Sequence, residues 1–187
     1  LAADPPELVL LGNFGKLYLR DDENRAQLWR DALTAAIDRL PARSHIVLLA
    51  DTPSTGVTPS ICLARFLDDA DRCAFERTLA LDSELRAAER SVAEKYDNVS
   101  YVDFTELFCN ATTCPSIIGN TLVYRDGSHI TTEMSRVLSG AFIAAAEGYL
   151  RSAETTGPIP ARQDILTMFR APRPAPLKPA PPEPAAG

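Results

Sequence analysis

A short polar turn in the last third of the sequence carries the residue types of acid–base chemistry. Asp126 lies three residues before His129, and Gly127 between them permits a tight turn. In that arrangement the carboxylate can accept the imidazole Nδ1–H, which leaves the other ring nitrogen to act as a general base. Asp-Gly turns also occur as ordinary polar turns before helices. The turn alone therefore indicates either a catalytic pair or a structural turn.

Two further polar residues each follow an apolar run. Asn13 could donate its amide to an oxyanion in acyl transfer, but Asn is also a common loop residue that tolerates a left-handed backbone. Asp51 is a candidate acid for the same site, and Asp before Thr-Pro is equally a common turn former. His45 and Trp29 fit structural roles, at the start of a strand and on an apolar helix face.

Strand-like and helix-like segments alternate in the part of the chain that must position these residues. Short apolar runs predict strands at 8–11, 45–50 and 99–103, and periodic apolar residues predict helices from Asp21 or Asp22 to 40, over most of 62–96, and from 131 to 151. Because the strands are apolar on both faces, they predict a three-layer α/β/α sandwich with a mainly parallel sheet. In such folds, sites form beyond the carboxyl ends of the strands, where all the candidate residues are expected.

Composition narrows the classes of protein to consider. The 187 residues carry a net charge of −6, and the basic residues are scattered among acids, which argues against nucleic acid as a partner. No apolar run reaches the roughly 18–20 residues that a membrane span needs. No metal or dissociable cofactor is expected from the sequence.

The four cysteines fall into two local pairs, Cys62 with Cys73 and Cys109 with Cys114. Neither pair has the spacing of a zinc site, and the two histidines are not placed as ligands beside them. Two short-range disulfides in an oxidising compartment fit best, and four buried thiols of a cytosolic protein are the alternative. Four cysteines permit three connectivities.

A change in composition predicts a domain boundary near residue 155. Nine of the fifteen prolines lie at or beyond Pro158, and 172–184 alternates Pro with Ala and charged residues. Such a segment cannot form a core. We therefore expect one folded domain over 1–155 and a largely disordered tail over 156–187. The Ala- and Pro-rich style resembles that of actinobacterial proteins.

Taken together, the motifs resemble a known family, the SGNH domain fused behind a membrane-bound acyltransferase-3 (AT3) domain in bacterial glycan O-acyltransferases. The resemblance covers residues 5 to about 152. It is carried by Asp51-Thr52-Pro53, Pro59-Ser60-Ile61-Cys62-Leu63-Ala64, Cys73-Ala74-Phe75, Cys109-x₄-Cys114-Pro115 and Tyr124-Arg125-Asp126-Gly127-Ser128-His129-Ile130-Thr131.

The resemblance implies a function and a location for this chain. It implies that Asp126 and His129 are catalytic, and that the disulfides join Cys62 to Cys73 and Cys109 to Cys114. It further implies an extracytoplasmic domain, tethered to the plasma membrane by an AT3 domain of the same full-length chain. That domain would pass on an acyl group, expected to be acetyl, for transfer to a cell-envelope glycan hydroxyl. A secreted carbohydrate esterase and a non-catalytic glycan-binding domain are the alternatives.

The sequence departs from the family at its beginning. Such domains open with a strand that ends in Gly-Asp-Ser, the source of the nucleophile, and this block is missing here together with its strand. Asn13 stands roughly where the family has the Asn of a Gly-x-Asn-Asp element. Ser54, Ser60 and Ser128 lie in expected loops, without the strand-to-helix elbow of such nucleophiles. We therefore expect the nucleophile outside this sequence, or lost, and the chain by itself to be inactive.

Overall fold

The computed structural model describes residues 4–18 and 24–152 of the chain. Strands and helices alternate through these residues, as the sequence predicts. The predicted boundary at 155 and the Pro-rich segment lie outside the described residues. The elements are β1 (Leu8–Gly12), α1 (Gly15–Tyr18), α2 (Arg25–Ile37), β2 (His45–Leu49), α3 (Pro59–Leu63), a 3₁₀ turn (Ala70–Cys73), β3 (Phe75–Glu76), α4 (Arg77–Ala80), α5 (Ser83–Ala93), β4 (Val99–Val102), α6 (Thr105–Phe108), β5 (Thr113–Cys114), β6 (Ile117–Ile118), β7 (Thr121–Leu122) and α7 (Thr132–Ser152).

The central sheet consists of three parallel strands in the order β1-β2-β4. Gly12 pairs with Leu49, and Leu49 pairs with Val102, so the three strands end at the same level. Each is a short apolar segment, as expected for a parallel sheet that helices cover. The loops that follow β1, β2 and β4 therefore start side by side at one edge of the sheet.

One face of the sheet packs against α2 and α5. Burial of each large side chain in this core contributes about 1.5–3 kcal/mol. The buried residues come from both helices and from two of the strands; they are Trp29, Leu33, Ile37, Ile46, Leu48, Leu85, Ala88, Val92, Ala93 and Val99. Trp29, predicted to be a core residue, lies among them. Val47 and Leu49 alternate with Ile46 and Leu48 and so point to the opposite face.

A second core surrounds the short elements after β4. Both disulfides that the resemblance implies are present, Cys62–Cys73 and Cys109–Cys114, and within the described ranges no cysteine is free. Three residues of this core, Cys114, Val123 and Tyr124, are completely buried, and Met134 and Leu138 of α7 pack against the same cluster. This core fixes the chain immediately before and after the Asp126–His129 turn.

Several helix predictions need correction. Much of 62–82 is irregular because the Cys62–Cys73 disulfide and the β3–β5 pair replace a continuous helix, and only α5 forms a long helix within 62–96. Helix α2 begins at Arg25 with Asn24 at its N-cap position, and the predicted caps Asp21 and Asp22 lie outside the described residues. Among residues 4–18 and 24–152, no helix has both the length and the apolar character needed to cross a bilayer.

Candidate active site

The Asp126–His129 turn is closed by its own backbone. Asp126 Oδ1 accepts hydrogen bonds from the backbone amides of Ser128, at 3.0 Å, and of His129, at 2.9 Å. The Arg125 amide donates to the His129 carbonyl at 2.8 Å, and Tyr124 pairs with Ile130 in an antiparallel bridge. An Asp side chain that binds amides two and three residues ahead is a local turn former. The turn is therefore encoded almost entirely within seven residues.

The same carboxylate binds the imidazole. His129 Nδ1 lies 2.9 Å from Asp126 Oδ1 and 3.0 Å from Oδ2. The Asp126 side chain is 35% exposed and that of His129 is 64% exposed, so the pair faces solvent. The backbone amides of Ser128 and His129, followed by the imidazole contact, hold the pKa of Asp126 well below its ordinary value. An ionised Asp126 orients His129 with Nδ1 toward the carboxylate and Nε2 outward.

The loop after β2 holds the turn from the other side. The Gly127 carbonyl accepts hydrogen bonds from the Thr55 amide at 2.9 Å, the Gly56 amide at 3.1 Å and the Ser54 hydroxyl at 3.0 Å. A Cβ at position 127 would lie 3.1 Å from the Gly56 carbonyl carbon and 3.3 Å from the Val57 amide nitrogen. The close backbone approach therefore requires glycine at 127.

Thr131 connects the turn to the long helix that follows. Its hydroxyl donates to the Leu122 carbonyl at 2.6 Å and accepts from the Met134 amide at 3.1 Å. The second of these contacts is that of an N-cap, one of the two threonine caps predicted for this helix. His129 is thus held two residues before the N-cap of α7.

Three of the four predicted site residues line one open cleft of about 370 Å³, and the fourth, Asp126, contacts His129 beside it. Asn13 and Asp51 line it with Ser128 and His129, and Phe142 of α7 also lines it. Asn13 and Asp51 reach the cleft because β1 and β2 end in register, one residue and two residues before them. Asn13 Nδ2 is buried without a hydrogen-bond partner within the described part of the chain. A buried amide donor without a partner is rare unless a ligand completes it.

Asp51 has an unusual electrostatic environment for an acid at a cleft. Burial raises the pKa of its carboxyl to about 6, against the opposing effects of the Thr52 amide, Arg86 and Lys16. Its protonation therefore changes close to neutral pH, within the range that is useful for acid–base or hydroxyl-binding roles. His45, at the opposite end of β2, contacts Ser100 Oγ through Nε2 at 3.1 Å and lies away from the cleft, consistent with its predicted structural role.

The candidate serines do not complete the pair in the described residues. Ser128 Oγ lies 3.4 Å from His129 Nδ1, on the nitrogen that faces Asp126, and Ser54 Oγ binds the Gly127 carbonyl. Ser60 lies in the first turn of α3. In residues 4–18 and 24–152, no serine hydroxyl is hydrogen-bonded to His129 Nε2.

Two contributors to the site were not predicted from the sequence. Phe142 is one of several apolar residues of α7, and nothing in the helical pattern distinguishes it from core. Arg86 lies on α5, and its guanidinium binds the Asp51 carbonyl, a contact that depends on tertiary structure.

In the described ranges, no group of three His, Cys, Asp or Glu residues is placed to hold a metal ion. A separate apolar cavity of about 410 Å³, lined by Phe108, Met134 and Leu138 among others, contains neither Asp126 nor His129.

Comparisons with known proteins identify the family and the fold of this chain. Residues 1–144 match the family described as SGNH domain (fused to AT3 domains). The fold is similar to that of the lipopolysaccharide acetyltransferase periplasmic domain of Salmonella ser. Paratyphi A, with a TM-score of 0.55 and 20% identity. The match covers 74% of this chain and 57% of that chain. No curated protein matches the sequence. The predicted SGNH-type α/β fold is confirmed, and the chain belongs to the family of SGNH domains that are fused to AT3 domains.

Proposed function

We propose that this chain is the extracytoplasmic part of an acyltransferase that places an acyl group, in our view acetyl, on a cell-envelope glycan hydroxyl. One observation carries the proposal. Asp126 orients His129 at a cleft that also holds the buried, unpartnered amide of Asn13, in a chain of the SGNH family. Besides a nucleophile, acyl transfer of this kind uses a general base, an acid that orients the base, and a hydrogen-bond donor for the oxyanion.

The proposed roles follow from the geometry. Asp126 keeps the imidazole proton on Nδ1, so His129 Nε2 is the general base. Asn13 Nδ2 donates to the oxyanion that forms when the acyl carbonyl is attacked. Asp51 belongs to the substrate loop and lines the cleft. The two remaining groups of the reaction, a nucleophile and an acyl donor, are assigned to parts of a longer protein.

The reaction proceeds in two half-reactions. A serine outside this sequence gives its proton to His129 Nε2 as its oxygen attacks the acyl carbonyl, and the donor group leaves with that proton. His129 then takes the proton of a sugar hydroxyl, whose oxygen attacks the acyl-serine. The serine oxygen leaves and recovers the proton from His129. The chain therefore returns to its starting state without any dissociable cofactor.

Location and partners are part of the same proposal. Two disulfides favour an oxidising compartment, and the family is defined by fusion to AT3 domains. We place the chain on the outer side of the plasma membrane, tethered to it by an AT3 domain that supplies the acyl group. The relative of known structure is a periplasmic domain, which supports this placement.

The test uses the longer protein that this proposal assumes, with its nucleophile and its AT3 domain. Release of p-nitrophenol from p-nitrophenyl acetate and mass analysis of an added oligosaccharide report the two half-reactions. We expect His129→Ala to lower both rates by roughly 10²–10⁴-fold, the range for loss of a general base. His45→Gln is the matched control, because His45 lies at the other end of β2. Equal rates in wild type and His129→Ala would overturn the assignment.

A carbohydrate esterase is the second candidate, and the exposure of His129 favours it, because water can reach Nε2 directly. The two functions differ in the fate of the acyl group. A transferase yields an acylated oligosaccharide whose amount rises with acceptor concentration. An esterase yields free acid at a rate that is independent of a competing acceptor.

A further inference from the structure

Arg86 joins the loops that follow two neighbouring strands. It lies on α5, and its side chain is only 11% exposed. Its Nη2 donates to the carbonyl of Asp51, after β2, and its Nη1 donates to Asp103 Oδ2, after β4, at 2.8 Å. One guanidinium therefore fixes the distance between the carboxyl-terminal ends of β2 and β4. Its planar group of donors suits two acceptors held in fixed directions.

The charges around this guanidinium are mostly negative. The Asp103 carboxylate accepts from it directly, whereas Asp51 accepts through its backbone carbonyl. Glu89, one turn further along α5, accepts hydrogen bonds from Trp29 Nε1 at 3.2 Å and from Tyr101 OH at 3.3 Å. Lys16 and Asp82 line the same small crevice as Asp51, Arg86 and Glu89, and Asp51 and His129 both line the larger cleft. Burial raises the pKa of Asp51, and the Thr52 amide, Arg86 and Lys16 oppose that effect.

The residue that Arg86 binds begins the loop that holds the catalytic turn. Three to five residues after Asp51, the Ser54 hydroxyl and the amides of Thr55 and Gly56 donate to the Gly127 carbonyl. A continuous series of direct contacts thus leads from Arg86 through this loop to the turn that carries His129. The Asp126–His129 contact itself is local, so this loop determines where the pair stands relative to the cleft.

We infer that Arg86 is a positioning residue of the site, which holds the loop after β2 so that this loop sets the place of the Asp126–His129 turn in the cleft. The inference rests on the proposed function for its catalytic consequence. Arg86 itself touches neither partner of the reacting pair. Lysine cannot replace it fully, because a single ammonium group on a flexible chain does not reproduce two donors in a fixed plane.

The structural test uses this chain and does not depend on activity. Amide hydrogen exchange and ¹H–¹⁵N shifts of Thr55, Gly56 and Gly127 are measured in wild type, Arg86→Gln, Arg86→Lys and Arg90→Gln. Arg90, one turn along α5, stacks on Tyr101 and is the matched control. We expect Arg86→Gln to speed exchange of the Thr55 and Gly56 amides by about tenfold, as for loss of one supporting hydrogen bond. Arg86→Lys gives a smaller increase and Arg90→Gln gives none.

A second measurement separates positioning from simple loss of stability. The ¹³C titration of the Asp51 carboxyl should move to higher pH in Arg86→Gln and stay unchanged in Arg90→Gln, because Arg86 is one of the groups that oppose the effect of burial on the pKa of Asp51 and Arg90 is not. In the longer protein, Arg86→Lys should lower kcat about tenfold with little change in KM, since the base is displaced while the cleft persists.

The outcomes distinguish this inference from the proposed function. Unchanged exchange, shifts and Asp51 titration in Arg86→Gln, or in Arg86→Lys if the Gln variant does not fold, would overturn the positioning role. If wild type in the longer protein is inactive, the proposed function fails, while the exchange result still decides whether Arg86 holds the turn. Equal effects in Arg86→Gln and Arg90→Gln would also overturn the inference, because they would show a general loss of stability.

Discussion

Replacing Asp126 by Asn tests the proposed acid–base pair while leaving its shape intact. Asp126 Oδ1 accepts the amides of Ser128 and His129, and an Asn must keep its carbonyl oxygen there to satisfy both donors. Its NH₂ group then takes the place of Oδ2, which lies 3.0 Å from His129 Nδ1. A donor at that position favours the tautomer with its proton on Nε2. His129 then presents a proton where the reaction needs a base.

The expected loss follows from that change of tautomer. The variant keeps its cleft, its Asn13 donor and its turn, so substrate binding should change little. The rate constant should fall by roughly 10²–10⁴-fold in both half-reactions, the range observed when a general base is lost or held in the wrong tautomer. Because the pKa of Asp126 is well below its ordinary value, its carboxylate stays ionised near neutral pH. Titration of Asp126 should therefore not lower the rate in that pH range.

Two assays measure the result. Acyl transfer by the longer protein gives kcat and KM, and ¹⁵N shifts of the His129 ring in this chain report which nitrogen carries the proton. Glu133→Gln is the matched control, an acid-to-amide change in the first turn of α7, where the Glu133 side chain pairs with Arg136 at 3.1 Å. Activity of Asp126→Asn within threefold of wild type, with Nδ1 still protonated, would refute the reasoning.

Two further predictions concern stability. Gly127→Ala should lower the free energy of unfolding by about 1–3 kcal/mol in urea titrations, because its Cβ would press on the Gly56 backbone at 3.1 Å. Gly140→Ala on α7, where a Cβ meets nothing within 4 Å, should instead be neutral or stabilising, and equal losses in the two variants would contradict this reading. The raised pKa of Asp51, about 6 against an ordinary 3.8, means that the folded state binds its proton more tightly than the unfolded state. This contribution to the free energy of unfolding is complete below pH 3.8 and is lost as the pH rises through about 6; it amounts to about 1–3 kcal/mol. Asp51→Asn should therefore make the free energy of unfolding fall less steeply over this pH range. An unchanged slope in the variant would contradict the raised pKa.

Local patterns predicted much of the fold and the core of the site. The three strands are continuous apolar runs, and the Asp126–His129 turn is built from contacts between near neighbours, so both could be predicted from the sequence. The position of Asn13 and Asp51 beside His129 followed from the rule that parallel strands end at a common edge, and the cleft agrees with it.

Non-local contacts could not be predicted in the same way. The segment after Cys62 has helical periodicity, but the disulfide and the pairing of Phe75 with Cys114 hold it in short pieces. The binding of Arg86 to a carbonyl 35 residues away leaves no pattern in the sequence. Such contacts depend on the final packing, which overrides local preference.

The difference between local and non-local contacts has a consequence for the site itself. Every contact that makes Asp126 an ionised partner of His129 comes from residues 125–129, so the pair should form in nearly any variant that folds. Its place relative to Asn13 depends instead on the Gly127 carbonyl and the loop that binds it. Mutations in that loop should therefore lower kcat and leave the tautomer of His129 unchanged. Mutations of Asp126 should lower kcat by changing the tautomer. Ring ¹⁵N shifts combined with kcat separate these two classes of defect, because pairing and positioning are carried by different residues.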